Sequence, residues 1–178
     1  MDLSFEEINS RHVLYSFVEE LLHQAFPKNE RRDDEKQRHN ADNHPLFHCC
    51  LIRDEDVSSP IGLLTYWDFP HYLYIEHLAV SSDLRGKGYG KRLLAKFIYD
   101  QKRPIVLEVE HPHEPLSRKR ISFYQQCGFC LWECDYIQPS YRPEDLPTPL
   151  YLMATSELDF NRDYSDICQT IHRVVYGV

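Results

Sequence analysis

The chain has 178 residues, 42% of them hydrophobic and 27% charged, with a formal net charge of -8. That length and balance describe one soluble globular domain with a sizeable core, not a disordered or fibrous chain. The acidic excess argues against nucleic acid as the main partner, and no apolar run is long enough for a membrane span.

Met1 to Glu7 has no basic stretch followed by an apolar one, so a cytoplasmic location is expected. Leu3 to Ile8 alternates weakly and reads as a first strand. Asn9 or Ser10 is placed to cap a helix in which Leu14, Phe17, Val18, Leu21, Leu22 and Ala25 recur at helical spacing, and Pro27 ends it. Lys28 to Asn43 is dense in charge and amide without an apolar stripe, and reads as a surface segment, a short helix followed by a loop. Leu46 to Arg53, Ile61 to Trp67 and Tyr72 to Val80 read as three strands of a meander, broken by a turn at Asp54 to Pro60 and by Phe69-Pro70.

A helix from about Gly88 to Gln101 carries Leu93, Leu94, Phe97 and Ile98 on one stripe and stops before Pro104. Ile105 to Glu110 is a buried-type strand, parallel to the strand before that helix by the crossover rule. Pro115 suits the first turn of a helix that places Leu116, Arg120, Phe123, Tyr124 and Cys127 on one stripe, with Gly128 as its left-handed stop. Phe129 to Ile137 and Leu150 to Ser156 are strands, joined by a stiff proline-rich loop from Gln138 to Pro149. A polar stretch from Glu157 leads to Ile167, Ile171, Val174 and Val175, the apolar positions of a C-terminal helix.

The six cysteines are expected to be reduced thiols. Cys127-Gly-Phe-Cys130 spells a metal-ligand spacing, with Cys134 nearby. A zinc site would need a second pair, for which His111-Pro-His113 is the only candidate. Because Cys127 ends a helix and the other two alternate along a strand, no metal is expected.

The stretch from Leu84 to Leu94 is the most informative. Gly86, Gly88 and Gly90 put half of the chain's six glycines within five residues, between a strand and a helix start. Such a junction exposes unpaired N–H groups at the positive end of a helix dipole. Arg85, Lys87, Lys91 and Arg92 crowd the same point, where cations are misplaced unless an anion relieves them. A phosphate or diphosphate is the simplest such anion. The spacing fits neither the G-x-x-x-x-G-K-[ST] phosphate loop nor the dinucleotide G-x-G-x-x-G turn.

Arg85-x-x-Gly88-x-Gly90 resembles the R/Q-x-x-G-x-G/A signature of the GCN5-related N-acetyltransferase (GNAT) superfamily. Tyr74-Ile75-Glu76-His77-Leu78-Ala79-Val80 resembles that family's strand 4, and Phe123-Tyr124 with Gly128-Phe129 its helix-4 motif. The resemblance covers residues 1–156, taken as an acyltransferase domain, and leaves 157–178 as a helical extension packed on it. It implies an α/β (α+β) fold: a mixed, mostly antiparallel twisted sheet of six to seven strands with helices on both faces, strands 4 and 5 parallel and splayed. It also implies acetyl-CoA as co-substrate and an amine, small molecule or peptide, as acceptor.

In that family the loop amides hold the coenzyme's diphosphate, here Arg85, Gly86, Lys87, Gly88, Tyr89, Gly90 and Lys91. The pantetheine pairs along strand 4, here through the backbone of Leu78, Ala79 and Val80. Tyr124 matches the helix-4 tyrosine that protonates the leaving thiolate. Ser117 stands where many members have a pantetheine-binding asparagine. Lys28 to Asn43 would form part of the acceptor rim.

Amine acylation also needs a group that takes a proton, and a carboxylate with raised pKa or a water chain would serve. Glu76 is the expected base, on the face of Leu78; Glu108, Glu110, His77 and His111 are its rivals. The expected activity is acetyl-CoA-dependent N-acetylation of a primary amine by direct attack in a ternary complex. The alternative is a non-catalytic acyl-CoA-binding or regulatory domain. Oligomeric state is not readable from the sequence.

Overall fold

The computed structural model describes residues 2–178. The fold is mixed α/β, with seven strands among the described residues. The backbone divides into two compact units, one ending at Arg103 and one from Pro104 to Val178.

The first unit is an antiparallel meander of β1 (Leu3–Glu7), β2 (Phe47–Asp54), β3 (Gly62–Asp68) and β4 (Leu73–Val80). Between β1 and β2 lie α1 (Tyr15–Ala25), a short turn (Lys28–Glu30) and α2 (Asp34–Asn43); α3 (Tyr89–Gln101) follows β4. The sheet alternates as period-2 strands must. One face carries Phe5 and Tyr66, and Phe97 of α3 packs edge-on against both rings, at 5.5 Å and 5.2 Å. The other face carries Thr65 and His77, and Phe26 just beyond α1 covers His77 at 4.6 Å. Phe97 is 2% exposed, and its removal to alanine would cost about 3–5 kcal/mol.

Two expectations change here. Neither Asn9 nor Ser10 caps α1: Ser10 binds Asp42, and Asn9 forms its own turn by accepting from the Arg11 amide. The helix therefore starts only at Tyr15. The segment from Lys28 to Asn43 is not wholly a surface one either, because Arg32 and Gln37 are 5% and 3% exposed.

The second unit holds β5 (Ile105–Glu110), α4 (Pro115–Gln126), β6 (Phe129–Gln138), β7 (Thr148–Thr155) and α5 (Phe160–Ile171), which continues as a wider helical turn, His172–Tyr176. β7 is central and pairs antiparallel with both β5 and β6. α5 is capped by Asp159, which accepts from the Arg162 amide at 3.1 Å. It buries Ile167 and Ile171, and its first residue Phe160 meets Trp132 of β6 at 5.6 Å.

α4 turns differently from its apolar pattern. Leu116 is 66% exposed and Arg120 is also outside, whereas Ser117 and Ile121 face inward. Serine counts as polar in a pattern but is small enough to sit against a sheet. Gly128 ends the helix at φ 94°, the left-handed stop expected of it.

Candidate active site

α3 begins without a side-chain cap, after Gly88 at φ 80°. Gly86 has φ 75°, and a methyl group on either glycine would meet nothing within 4 Å. Both glycines are thus required by backbone conformation, and the space above them is open. The amides from Gly86 through Lys91 donate to no acceptor among the described residues; the first helical bond is Arg92 to the Gly88 carbonyl, at 3.3 Å. A run of unpaired N–H groups at a helix start is an anion site in waiting. Arg85, Lys87, Lys91 and Arg92 stand exposed around it. These groups suit a diphosphate in charge and in donor chemistry.

Tyr89 differs from its loop neighbours. Its ring is buried at 7% exposure, and its hydroxyl donates to Asp54 at 3.0 Å, so only its amide remains for a ligand. Arg92 lies over that ring at 5.7 Å, and the Arg85 Nε donates to the Val80 carbonyl at 3.3 Å.

On β4, the Ser81 amide donates to Ile61 of the chain beside it, at 2.9 Å. By antiparallel alternation the Ala79 groups face β3, and those of Leu78 and Val80 point away from it. The backbone of β4 therefore presents Leu78 and Val80, not Ala79, to anything that adds along its far side.

Glu76 is the extra residue of a β-bulge: Thr65 pairs with His77 and Tyr66 with Ile75, leaving Glu76 unmatched. Its carboxylate takes a two-pronged ion pair from Arg32 and a 3.0 Å hydrogen bond from the Trp67 indole. Burial pushes its pKa up, but Arg32 and these hydrogen bonds outweigh that, and the net direction is down. This corrects the expectation of a raised-pKa base at Glu76: the carboxylate is held ionised and already partnered. His77 is also committed, with Nδ1 to the Thr65 hydroxyl and Nε2 to the Glu30 carbonyl.

In the second unit, Glu108 accepts from the Tyr136 hydroxyl, the Gln138 amide and the Tyr176 hydroxyl. Glu110 pairs with Arg120 at 3.1 Å on the surface. His111 lies against Tyr151, with ring centroids 4.1 Å apart, and its Nε2 is buried without a partner. Arg118 orders the following loop by donating to the Pro112 and His113 carbonyls. Ser117 is 6% exposed on the inner side of α4.

Tyr124 is half-buried between the rings of Phe123 and Phe129. Its hydroxyl makes no hydrogen bond among the described residues. Burial raises its pKa, which keeps the proton on at neutral pH. Among the described residues no group of three or more His, Cys, Asp or Glu could hold a metal ion.

The profile of the acetyltransferase (GNAT) family matches residues 15–129. The chain belongs to the GNAT family. A solved structure from Bacteroides thetaiotaomicron, provisionally named a GNAT-family acetyltransferase, is 46% identical over 98% of this chain and 99% of its own, with a TM-score of 0.95. The Bacillus subtilis (strain 168) protein YjbC, also provisionally named an acetyltransferase, is 38% identical over 69 residues, which is 38% of this chain and only 35% of YjbC. A Bacillus subtilis acetyltransferase solved in complex with CoA shares the fold, at a TM-score of 0.57 and 17% identity over 86% of this chain and 98% of its own. No helix of this GNAT chain, among the described residues, is long and apolar enough to cross a membrane.

Proposed function

We propose that this chain is an acetyl-CoA-dependent N-acetyltransferase that acylates a primary amine by direct attack within a ternary complex. The observation that carries the reading is the run of acceptor-less amides from Gly86 to Lys91, ringed by four cations at the start of α3. Those amides would take the diphosphate, and the β4 backbone at Leu78 and Val80 the pantetheine arm. The bound coenzyme supplies an acyl group activated as a thioester.

Transfer replaces a C–S bond by a C–N bond, so the amine must lose a proton and the thiolate must gain one. Tyr124 is the donor in this reading, since burial keeps its hydroxyl protonated and it has no competing partner among the described residues. Of the five groups considered as acceptor of the amine proton, His111 alone keeps a ring nitrogen without a partner among the described residues. We assign that role to His111 and a positioning role to Glu76. A primary amine remains the acceptor class.

Calorimetric titration of the purified chain with CoA, followed by thiol-release assays across a panel of primary amines, tests the proposal. Micromolar uptake with amine-dependent CoA release is expected. Uptake without release on any amine would favour a non-catalytic acyl-CoA-binding domain, and no uptake would remove the reading altogether.

A further inference from the structure

We infer that Asp54 and Tyr89 are positioning residues for the coenzyme's diphosphate, an inference that rests on the reading of the α3 amides as its site. Those amides can converge on one anion only if the start of α3 holds a fixed direction. The usual fixings are missing there: no side chain caps the helix, and Arg85, Gly86, Lys87 and Gly88 are all exposed. The first residue of the helix is instead tied down from beneath. Tyr89 drops its ring into the core, 7% exposed, and its hydroxyl donates to the Asp54 Oδ2 at 3.0 Å.

Asp54 is well suited to be the fixed end. It closes β2, and alternation places it with Ile52 and His48 on the sheet face that α3 covers. It is 1% exposed, and its other oxygen accepts from the Asp56 amide at 3.1 Å, which ties it into the turn after the strand. A carboxylate this deep is costly unless each oxygen is engaged, and Tyr89 engages the second one. The same ring carries the Arg92 guanidinium at 5.7 Å, so one anchor sets both the amide direction and one of the cations. The sheet thereby orients an anion site that has few contacts of its own.

CoA affinity and steady-state kinetics of the full chain and its variants test this. Tyr89→Phe should raise the Kd for CoA and the KM for acetyl-CoA about five- to tenfold, with kcat within twofold. Asp54→Asn keeps an oxygen that the Tyr89 hydroxyl can reach and should stay close to the wild type, whereas Asp54→Leu should match Tyr89→Phe. The double variant Tyr89→Phe with Asp54→Leu should be no worse than either single one, because both remove the same bond. Tyr99→Phe, on the exposed side of the same helix, is the control. If the wild type takes up CoA and Tyr89→Phe binds it within twofold, the inference is overturned and the coenzyme site stands. A fall in kcat at unchanged KM would also overturn it. Failure of the wild type to bind CoA strikes the underlying reading instead.

Discussion

Arg32 and Glu76 form an ion pair in which only 4% and 1% of the two side chains are exposed. Arg32 comes from the approach to α2 and lies 5.7 Å from the ring centres of both Phe47 and Trp67; Glu76 comes from the bulge in β4. The pair therefore fastens the segment between α1 and β2 to the strand that would carry the pantetheine. Two charges leave water here, and their pairing offsets part of that cost, with Gln37 on Arg32 and the Trp67 indole on Glu76.

Glu76→Gln is therefore expected to act on folding first. It takes from the buried Arg32 the carboxylate it pairs with, at a cost of about 3–5 kcal/mol, whereas Arg32→Met combined with Glu76→Leu should recover most of that loss. Urea denaturation of the single and double variants measures it. A Glu76→Gln protein with unchanged stability and abolished turnover would restore Glu76 as the base.

His77 should make stability fall on mild acidification. Its Nε2 donates to the Glu30 carbonyl at 3.0 Å and its Nδ1 lies 3.1 Å from the Thr65 hydroxyl, from which it accepts when the ring is neutral. Burial comes first among the causes that lower its pKa; Glu76 and the Glu30 carbonyl act the other way, and Arg32 and Arg31 reinforce the lowering. With the folded value below the usual 6.5 or so, the unfolded chain binds the proton first. The stabilisation is full above that value and is lost as pH falls toward the folded one. His77→Gln should be less stable at neutral pH but flatter between about pH 6.5 and 5. His44, whose pKa burial and Arg32 also lower, will leave a residual slope. Thermal melts at half-unit pH steps measure this.

The glycine turn before α3 and the order of elements were legible because both are local properties. Glycine spacing, a strand before it and an apolar stripe after it all lie within one short stretch, and Pro115 and Gly128 mark the ends of α4 by backbone constraint alone. The state of Glu76 was not legible. It depends on a bulge that shifts the pairing by one residue and on Arg32, 44 positions away, which no periodicity marks as buried. The inner face of α4 escaped for a related reason: Ser117 faces inward while Leu116 is exposed, so packing overrode the apolar count. Asp54 carried no signal either, since an aspartate ending a strand usually opens a turn, as this one also does.

Gly62 is a position that the sequence did not single out. A Cβ there would lie far inside van der Waals contact of the Ala79 carbonyl and 3.3 Å from Ile52 Cδ1. Gly62→Ala must push β3 away from β4 at the residues proposed to carry the pantetheine. Loss of about 1–3 kcal/mol in stability is expected, together with a raised KM for acetyl-CoA. Denaturation and initial-rate assays on the same preparation would show both; a stable variant with normal KM would mean that the strand gives way without moving the β4 backbone.

His111→Gln should lower turnover without weakening coenzyme binding. The other candidate bases are committed: Glu76 to Arg32, His77 to two partners, Glu108 to two tyrosines and a glutamine, and Glu110 to Arg120. If His111 takes the amine proton, kcat should fall about 100-fold in the glutamine variant while the Kd for CoA stays within twofold. Unchanged turnover would assign proton removal to solvent.

Tyr124→Phe isolates the other proton. The substitution keeps the ring between Phe123 and Phe129, so packing is preserved and only the hydroxyl goes. Because that hydroxyl has no partner among the described residues, its removal leaves none of their buried groups unsatisfied and should move stability by less than about 1 kcal/mol. Catalysis should respond differently: without a donor the thiolate must leave as an anion, and kcat should fall about 100-fold while the Kd for CoA stays within twofold. An acceptor-independent test is available through the donor. Thioesters of more acidic thiols need less help from an acid, so the ratio of wild-type to Tyr124→Phe rates should shrink as the leaving thiol becomes more acidic. A ratio that does not vary with the leaving thiol would take the proton-donor role away from Tyr124 even if kcat had fallen.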